Sequence, residues 1–341
     1  MGNTTVNRLI GYRKIGKTPF LNQKSLGTFR GKENLPRLCI ELLSEQKKAW
    51  KGLREGYELL KQVKERDLSC ERFSVRFQYN PGRIKSSTAK VNKKERQCFL
   101  CLDHLPEDQK GISYRKDYLI LCNPMPVFPY HYTLSHIDHR PQSITENIDT
   151  FLQLMADFGS GWVVLYNGPR CGASAPGHLH FQVAPSRQMP IEKEIREGKR
   201  LAPLKKIDGV LIYRMVNLGR EVILLDGDKR TSLGIVLKNY LSALKKVLLI
   251  EEEPMINIAG FHEKRKWRLV IFPRQKHRPA VFFKEGKARM VISPGVIDMG
   301  GLIITPIEKD FERLTEATVT DIYREVSLGK KIVEKTIDAM Q

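Results

Sequence analysis

The sequence predicts an α+β fold built from two similar units, each with antiparallel strands and a flanking helix. Short runs of β-branched and aromatic residues, typical of strands, lie in pairs on either side of an amphipathic helix. This order of strand, strand, helix, strand, strand occurs twice along the chain. With 341 residues there is room for both copies. We therefore expect an internal duplication of one unit.

The predicted elements divide the chain into three segments. Residues 1–70 form an N-terminal helical extension, because Leu and Tyr recur at helical spacing within 37–66. Residues 71–200 hold the first unit, and residues 201–341 hold the second unit with a C-terminal helix. The paired strands of the two units are predicted at 118–122, 132–135, 162–166 and 178–184, and at 210–215, 221–225, 255–259 and 267–272.

Composition indicates a globular protein with anionic partners. The formal charge of +20 and the pI of about 9.7 favour phosphorylated small molecules, nucleic acid or an acidic surface, and charge alone does not choose among them. Nucleic acid is the least favoured, because aromatic residues are not interleaved with the basic ones. No apolar run approaches the roughly 18 residues of a membrane span, and residues 1–17 hold no apolar signal segment. We expect a soluble cytoplasmic protein with reduced cysteines and no membrane partner.

One strand of the first unit carries a polar face. Because strand side chains alternate, His178, His180 and Gln182 are expected on one face and the intervening apolar residues in the core. Taken alone, this pattern also fits an amphipathic strand with two solvated histidines. The preceding loop, residues 167–177, lowers the weight of that alternative because it is rich in small residues that let backbone N–H groups approach a phosphate. An imidazole beside bound phosphate can attack phosphorus covalently.

The run Tyr166-Asn167-Gly168-Pro169-Arg170-Cys171-Gly172-Ala173-Ser174-Ala175-Pro176-Gly177-His178-Leu179-His180-Phe181-Gln182 resembles the signature of the transferase branch of the histidine-triad superfamily. That branch includes galactose-1-phosphate uridylyltransferase, diadenosine tetraphosphate phosphorylase and GDP-hexose phosphorylases. A second run, residues 293–301, is similar to the C-terminal part of GDP-hexose phosphorylases. The likeness spans about residues 70–325 and implies a duplicated histidine-triad-like fold. Only the first unit carries the histidines, since the second has Trp, Arg, Leu, Val and Ile at 267–271.

The resemblance implies a nucleotidyltransferase or phosphorylase. His180 matches the nucleophile that attacks the α-phosphorus, and Gln182 matches the partner of the phosphoryl oxygen in the covalent intermediate. Ser174 matches a phosphate contact, although its spacing to the first histidine is one residue longer than in the uridylyltransferases. Asn167 and Gly172 complete the expected phosphate cradle, and His178, the first histidine of the motif, is the third expected catalytic residue.

The resemblance also implies the substrates. The donor is a nucleoside diphosphate sugar or a dinucleoside polyphosphate, and the acceptor is phosphate or a phosphorylated compound, with no organic cofactor. The rival hypothesis is a nucleotide- or nucleic-acid-binding protein on the same fold without turnover. Hydrolysis is a third hypothesis, against which Gln182 argues by resemblance.

Cys98 and Cys101 have the spacing of a pair of metal ligands. The alternative is that both cysteines are small core residues. In uridylyltransferases that carry such a metal, the first motif histidine is a ligand, and here that position is His178. The resemblance gives His139 as the fourth ligand and His136 as the fallback. A site closed by four protein ligands implies structural zinc.

A basic loop at residues 80–90 occupies the place where related transferases have basic groups near the nucleotide. Arg83 is the first candidate for phosphate binding and Lys90 the second, because arginine's fork matches phosphate oxygens. A solvated basic loop is the alternative. Arg274 and His277 follow a strand of the second unit in a way that is similar to the family, without an assigned role.

Overall fold

The computed structural model describes residues 24–31, 33–69, 73–88 and 97–341. In these residues the strands are β1 (Ser25–Phe29), β2 (Lys64–Ser69), β3 (Ser74–Tyr79), β4 (Gly111–Tyr114), β5 (Tyr118–Cys122), β6 (Tyr132–His136), β7 (Trp162–Asn167), β8 (His180–Pro185), β9 (Leu201–Ile207), β10 (Val210–Met215), β11 (Val222–Gly227), β12 (Ile256–Glu263), β13 (Lys266–Pro273) and β14 (Leu302–Thr305). The helices are α1 (Leu35–Ala49), α2 (Lys51–Leu60), α3 (Ile84–Ser87), α4 (Ile148–Phe158), α5 (Pro190–Glu197), α6 (Arg230–Leu248), α7 (Val296–Met299), α8 (Glu308–Arg313), α9 (Glu316–Val326) and α10 (Lys330–Asp338). None of the described helices is long and apolar enough to cross a membrane.

One sheet contains both predicted units. Its eleven strands have the order β1-β4-β5-β6-β8-β7-β12-β13-β11-β10-β9, so β5-β6-β8-β7 on one side is mirrored by β10-β11-β13-β12 on the other. The units meet where β7 and β12 pair antiparallel. Helix α4 lies between β6 and β7 in the chain, and α6 lies between β11 and β12. The predicted fold class, a duplicated α+β unit with antiparallel sheets and flanking helices, is confirmed.

The second unit lacks the polar face of the histidine strand. Strand β13 pairs antiparallel with β12 as β8 pairs with β7. Val270 and Phe272 of β13 are buried in the same apolar layer as Leu165 of the first unit, whereas Leu269 and Ile271 are buried in the layer that holds Phe181. Both faces of β13 are therefore core, whereas one face of β8 carries polar groups.

Apolar layers cover both faces of the large sheet. One layer contains helices α1, α4, α6 and α10, and the aromatic ring of Phe181 packs into it against Phe151 at 5.3 Å between centroids. The other layer contains the small sheet β14-β3-β2 and helices α5 and α7 to α9. Because Phe181 and Val183 are buried in the first layer, His180 and Gln182 face the second, as the alternation predicts.

The N-terminal part of the chain differs from the prediction. The helix expected over 37–66 is two helices, α1 and α2, separated by Trp50 in an extended conformation. Its last residues instead form β2, which pairs antiparallel with β3. The segment after β3 is also helical, with a 3₁₀ turn at Pro81–Arg83 followed by α3, where the sequence predicted a loop. Residue spacing did not reveal these changes, because tertiary pairing decided them. The three-segment division of the chain stays a prediction.

A carboxylate of the second unit holds the turn that precedes helix α4 of the first unit. Glu253 accepts hydrogen bonds from the hydroxyl of Ser143 at 2.8 Å and from the backbone N–H of Ile144 at 2.7 Å. It also accepts from the N–H and hydroxyl of Thr145, both at 3.2 Å, and from the hydroxyl of Tyr166. The turn before α4 is therefore held from across the unit boundary.

We expect the substitution Glu253→Ala to lower the free energy of unfolding by about 3 kcal/mol, because several donors lose a charged acceptor. The neighbouring Glu252 is the matched control. It forms an exposed ion pair with Arg170 at 3.5 Å, and such pairs contribute little. Denaturant unfolding of both variants is the measurement. Equal stability of the two variants would contradict the assigned role of Glu253.

Candidate active site

A cavity opens on the face of the large sheet that carries His180 and Gln182. It holds about 1250 Å³ of empty space, including its open mouth. Its walls come from both units, because residues around β8 and the preceding loop meet residues 277–298 of the second unit. The cavity brings together six of the predicted binding and catalytic residues, namely Arg83, Asn167, Gly172, Ser174, His180 and Gln182. Lys90 lies outside the described residues.

The hydrogen bonds of His180 define how its imidazole can react. Nδ1 lies 2.8 Å from the carbonyl oxygen of His178, so this nitrogen carries the proton and donates it. Nε2 is then the nitrogen with the free lone pair, on a ring that lines the cavity and is 3% exposed. Burial lowers the pKa of His180, which favours the neutral, nucleophilic ring.

Gln182 is oriented by a histidine that sequence reasoning missed. Nε2 of His131 lies 2.8 Å from Oε1 of Gln182, and Nδ1 of His131 accepts a hydrogen bond from the N–H of Val127 at 3.2 Å. His131 therefore donates through Nε2 to the carbonyl oxygen of the Gln182 amide. This fixes the amide with its NH2 group as the end available to an acceptor oxygen, and a phosphoryl oxygen is such an acceptor.

Gln142 holds the catalytic strand in place. Its Oε1 accepts the N–H of His180 at 2.8 Å, and its Nε2 donates to the carbonyl oxygens of His180 at 3.0 Å and Asn167 at 2.9 Å. The side chain is 2% exposed. It bridges the end of β7 and the start of β8, around the loop that joins them. Its position between two strands gave no sequence signal, since the contact depends on tertiary structure.

The loop before β8 is packed against the second unit. Gly172 has φ of +106°, and a Cβ there would lie 2.7 Å from the Cα of Gly295. Oδ1 of Asn167 accepts hydrogen bonds from the N–H of Val296 at 2.7 Å and from the amide of Asn257 at 2.8 Å. Both residues therefore have a structural task besides lining the cavity. Ser174 is exposed in the cavity wall.

Arg83 reaches the cavity from the segment after β3. One terminal nitrogen donates to the carbonyl oxygen of Met125 at 2.8 Å. Burial lowers the pKa of Arg83, and the carboxylate of Asp298 opposes this effect. An arginine keeps its charge through such a shift, so Arg83 places a cation beside His180 and Gln182.

The predicted metal ligands form one cluster. Donor atoms of Cys98, Cys101, His139 and His178 all lie within 4.8 Å of one another. Nδ1 of His178 is 3.3 Å from Sγ of Cys98 and 3.6 Å from Sγ of Cys101, and Nδ1 of His139 is 3.2 Å from Sγ of Cys101. The edges of a tetrahedral zinc site with these ligands measure about 3.3 to 3.8 Å. The donor set therefore fits a tetrahedral metal ion.

The surroundings of the cluster support the same conclusion. Nε2 of His178 donates to the carbonyl oxygen of His136 at 2.7 Å, which leaves Nδ1 as the ligand nitrogen. Burial, followed by the neighbouring Cys98, raises the pKa of Cys101 to about 11, so a thiolate pair here needs a compensating cation. His136, the fallback ligand, is turned away, because its Nδ1 accepts the N–H of Asp138 at 2.9 Å.

His178 does not line the catalytic cavity, although it was predicted to share the face of His180. The strand ladder begins only at His180, so the alternation of faces does not extend back to His178. Its ring turns instead to the cysteines. His178 accepts a hydrogen bond from the His180 ring through its backbone carbonyl.

Two family models match the chain. A domain of unknown function, DUF4922, matches residues 42–185, and the "GDPGP1-like, C-terminal domain" model matches residues 201–339. The second match includes residues 293–301, the run that resembles the C-terminal part of GDP-hexose phosphorylases. No curated protein matches the sequence.

Solved structures of yeast Ap4A phosphorylase Apa2 share the fold. The complex with AMP is 16% identical, covers 86% of this chain and 95% of its own, and gives a TM-score of 0.55. The structure without a named ligand is 13% identical over 83% of this chain and 97% of its own, with a TM-score of 0.54. The complex with Ap4A is 15% identical over the same shares, with a TM-score of 0.51. At these identities the likeness establishes the fold.

The chain shares its fold with Ap4A phosphorylase, and residues 201–339 match the GDPGP1-like C-terminal domain. The predicted resemblance to the transferase branch of the histidine-triad superfamily, which includes the tetraphosphate and GDP-hexose phosphorylases, is confirmed.

The buried His131 gives a pH-dependent contribution to stability. Burial, and then the positive charge of Arg83, lowers the pKa of His131 to about 3. The unfolded chain binds this proton near pH 6.5 and the folded chain does not, so the stabilisation is complete above pH 6.5 and is lost as the pH falls toward 3.

We expect the stability of the wild type relative to His131→Gln to fall on acidification from pH 7 to pH 4. The fall should be at most about 1.4 kcal/mol per pH unit, because one proton is involved. Denaturant midpoints of both proteins across this range are the measurement. A stability difference between the two proteins that does not change with pH would contradict the lowered pKa of His131.

Proposed function

We propose that the protein is a nucleotidyltransferase of the phosphorylase type that works through a nucleotidyl-His180 intermediate. The observation that carries the proposal is the imidazole of His180, whose Nδ1 is bound to the His178 carbonyl while the ring lines a cavity shared with Gln182 and Ser174. The donor is a nucleoside diphosphate sugar or a dinucleoside polyphosphate. Both classes present an α-phosphorus joined to a phosphorylated leaving group.

In the first step, the lone pair on Nε2 of His180 attacks the α-phosphorus. A P–N bond forms, and the bond from the α-phosphorus to the bridging oxygen breaks, so the leaving group departs with the electron pair as a phosphate. The ring becomes cationic in this step, and the carbonyl oxygen of His178 stabilises it through the Nδ1 proton. The NH2 group of Gln182 and the charge of Arg83 stabilise the negative phosphoryl oxygens.

In the second step, an oxygen of inorganic phosphate or of a phosphorylated acceptor attacks the same phosphorus. The P–N bond breaks, Nε2 recovers its lone pair, and the nucleotide leaves with one more phosphate than the nucleotidyl group carried. No proton transfer by a separate acid is required, because a phosphate is a good leaving group. The absence of a separate acid from this mechanism agrees with a neutral His131 that orients Gln182.

We further propose that the four-residue cluster holds structural zinc. Four protein ligands leave no open position for substrate, as in structural zinc sites. The ion would link Cys98 and Cys101 to the segments that carry His139 and His178. It would thereby fix the backbone of His178, whose carbonyl oxygen orients the nucleophile. Reduced cysteines of this kind agree with a cytoplasmic location.

We expect His180→Ala to abolish phosphate-dependent release of nucleotide from the active donor, with kcat reduced by more than about a thousandfold because the covalent step is lost. The measurement is product formation from nucleoside diphosphate sugars and dinucleoside polyphosphates, with and without phosphate. The matched control is His262→Ala, because that histidine lies in the second unit and does not line the cavity. Equal release by wild type and His180→Ala would exclude His180 as the nucleophile.

We expect the purified protein to contain about one zinc per chain. Cys101→Ser and His139→Ala should lose the metal, because each removes a donor from a four-ligand site. His136→Ala is the matched control and should retain it, since its ring is bound by Asp138. Elemental analysis of the three variants is the measurement. Retention of zinc by His139→Ala together with loss by His136→Ala would reverse the ligand assignment.

A further inference from the structure

The second unit lines the catalytic cavity with side chains that the proposed chemistry has not used. His277, Arg278 and Ser293 belong to the segments after β13 and contribute to the wall. Among the described residues of the wall, the side chains with a formal charge at neutral pH are Arg83 and Arg278 as cations and Asp298 as an acid, and burial raises the pKa of Asp298 to about 6. The oxygens of Asp298 accept backbone N–H groups of Gly295 and Ile304, both at 2.9 Å. The wall as a whole therefore favours an anion.

Arg278 is held in a fixed orientation. Its Nε donates to the hydroxyl oxygen of Ser293 at 2.8 Å, and one terminal nitrogen donates to the carbonyl oxygen of Ser87 at 3.1 Å. The guanidinium carbon lies 4.2 Å from the centre of the Phe282 ring. The plane of the fork is thus set from two sides and supported on one face, while the side chain stays half-exposed to the cavity. Such an arrangement reduces the entropy that binding an anion would otherwise cost.

A fully buried arginine supports this part of the wall. The five N–H donors of Arg274 are all used within the protein, since its guanidinium donates to Asn257, Pro294, Val326, Lys276 and His277. Two of these acceptors are the backbone carbonyl oxygens of Lys276 and His277, directly before Arg278. Arg274 is therefore a positioning residue, and Arg278 is the arginine that faces the cavity.

His277 connects the same segment to the loop of the first unit. Nδ1 of His277 donates to the carbonyl oxygen of Arg170 at 3.0 Å, and Nε2 accepts from the hydroxyl of Ser293 at 3.4 Å. The hydroxyl of Ser293 in turn accepts from Arg278. The bonds run in one direction, from Arg278 through Ser293 and His277 to Arg170, so the segment with Arg278 and the loop with Ser174 are held in register.

We propose that Arg278 binds the phosphate group that leaves the α-phosphorus in the first step and the phosphate that attacks it in the second. This inference rests on the proposed function. In-line displacement places the leaving phosphate and the incoming phosphate on the same side of the α-phosphorus, away from His180, so one subsite serves both. Arg278 is supplied by the second unit, whereas His180 and Gln182 are supplied by the first, and the planar fork of an arginine matches two oxygens of one phosphate. The degenerate unit thus provides the acceptor subsite.

A neighbouring arginine offers a matched control. Arg289 lies over the same Phe282 ring, at 5.4 Å, but it is exposed and does not line the cavity. Replacing Arg278 or Arg289 removes the same charge from the same region. A difference between Arg278→Ala and Arg289→Ala therefore reports on contact with the ligand, whereas a general loss of positive field would affect both.

The direct test is calorimetric titration of the full chain with pyrophosphate and with inorganic phosphate. We expect Arg278→Ala to weaken binding at least about tenfold, because charge-assisted hydrogen bonds to phosphate are lost. Arg278→Lys should fall between Arg278→Ala and wild type, since it keeps the charge but lacks the fork and the bond to Ser293. Arg289→Ala should stay within about twofold of wild type. In turnover, the KM for phosphate should rise in the same order.

The outcomes separate this proposal from the proposed function. Wild-type affinity and KM for phosphate in Arg278→Ala, with His180→Ala inactive, would overturn the subsite and leave the function standing. Full activity of His180→Ala would overturn the function, whereas weaker pyrophosphate binding by Arg278→Ala alone would still support an anion site at Arg278. If Arg278→Ala does not fold, Ser293→Ala replaces it as the test. We expect Ser293→Ala to bind pyrophosphate severalfold more weakly than wild type. Unchanged pyrophosphate binding by both Ser293→Ala and Arg278→Lys would overturn the proposal.

Discussion

The pairing of β7 with β12 is the constraint on which the rest of the structure depends. At its end, Asn167 lies opposite Asn257, and the two buried amides are joined by a hydrogen bond of 2.8 Å. Asn257 also donates to the carbonyl oxygen of Cys171 at 2.6 Å and accepts from Arg274 at 2.6 Å. Polar groups buried this deeply are costly unless all partners are present, so the two units can meet in one register only. That register brings the loop before β8 against the residues at 293–298.

Duplication leaves the two units free to change in different ways. In the first, twelve residues separate β7 from β8 and form the cavity wall, whereas in the second a tight turn at Lys264 and Arg265 joins β12 to β13. Both turn residues have positive φ, as short hairpins require. Without a long loop the second unit has no corresponding cradle, and Val270 and Phe272 make the matching face of β13 apolar. The second unit keeps its strands, and its contribution to the cavity comes from segments beyond β13.

Much of the sheet could be predicted from the sequence, because its central strands carry their own pattern. The strand predicted at 210–215 agrees with β10, and the histidine strand predicted at 178–184 lies at His180–Pro185. The end of the helix predicted over 37–66 could not be predicted correctly. Lys64–Ser69 has no strand pattern and forms β2 through pairing with β3. The same limit applies to Gln142 and His131. Their contacts with the strand of His180 join residues that are 38 and 51 positions apart in the chain, and periodicity does not record such contacts.

The residues that surround His180 are arranged so that each orients a backbone group or an amide and leaves the reacting atom open. The His178 carbonyl fixes one ring nitrogen, Gln142 fixes the strand, and His131 fixes the Gln182 amide. The side chain of His178 lies in the cluster with Cys98, Cys101 and His139, so the same residue contributes its carbonyl to His180 and its ring to the cluster. The motif of two histidines and a glutamine indicates the candidate reacting groups in the sequence, but it does not indicate the residues that orient them. The shape of this cavity therefore depends on the junction of the two units, because the loop that carries the motif has its buried partners on the other side of that junction.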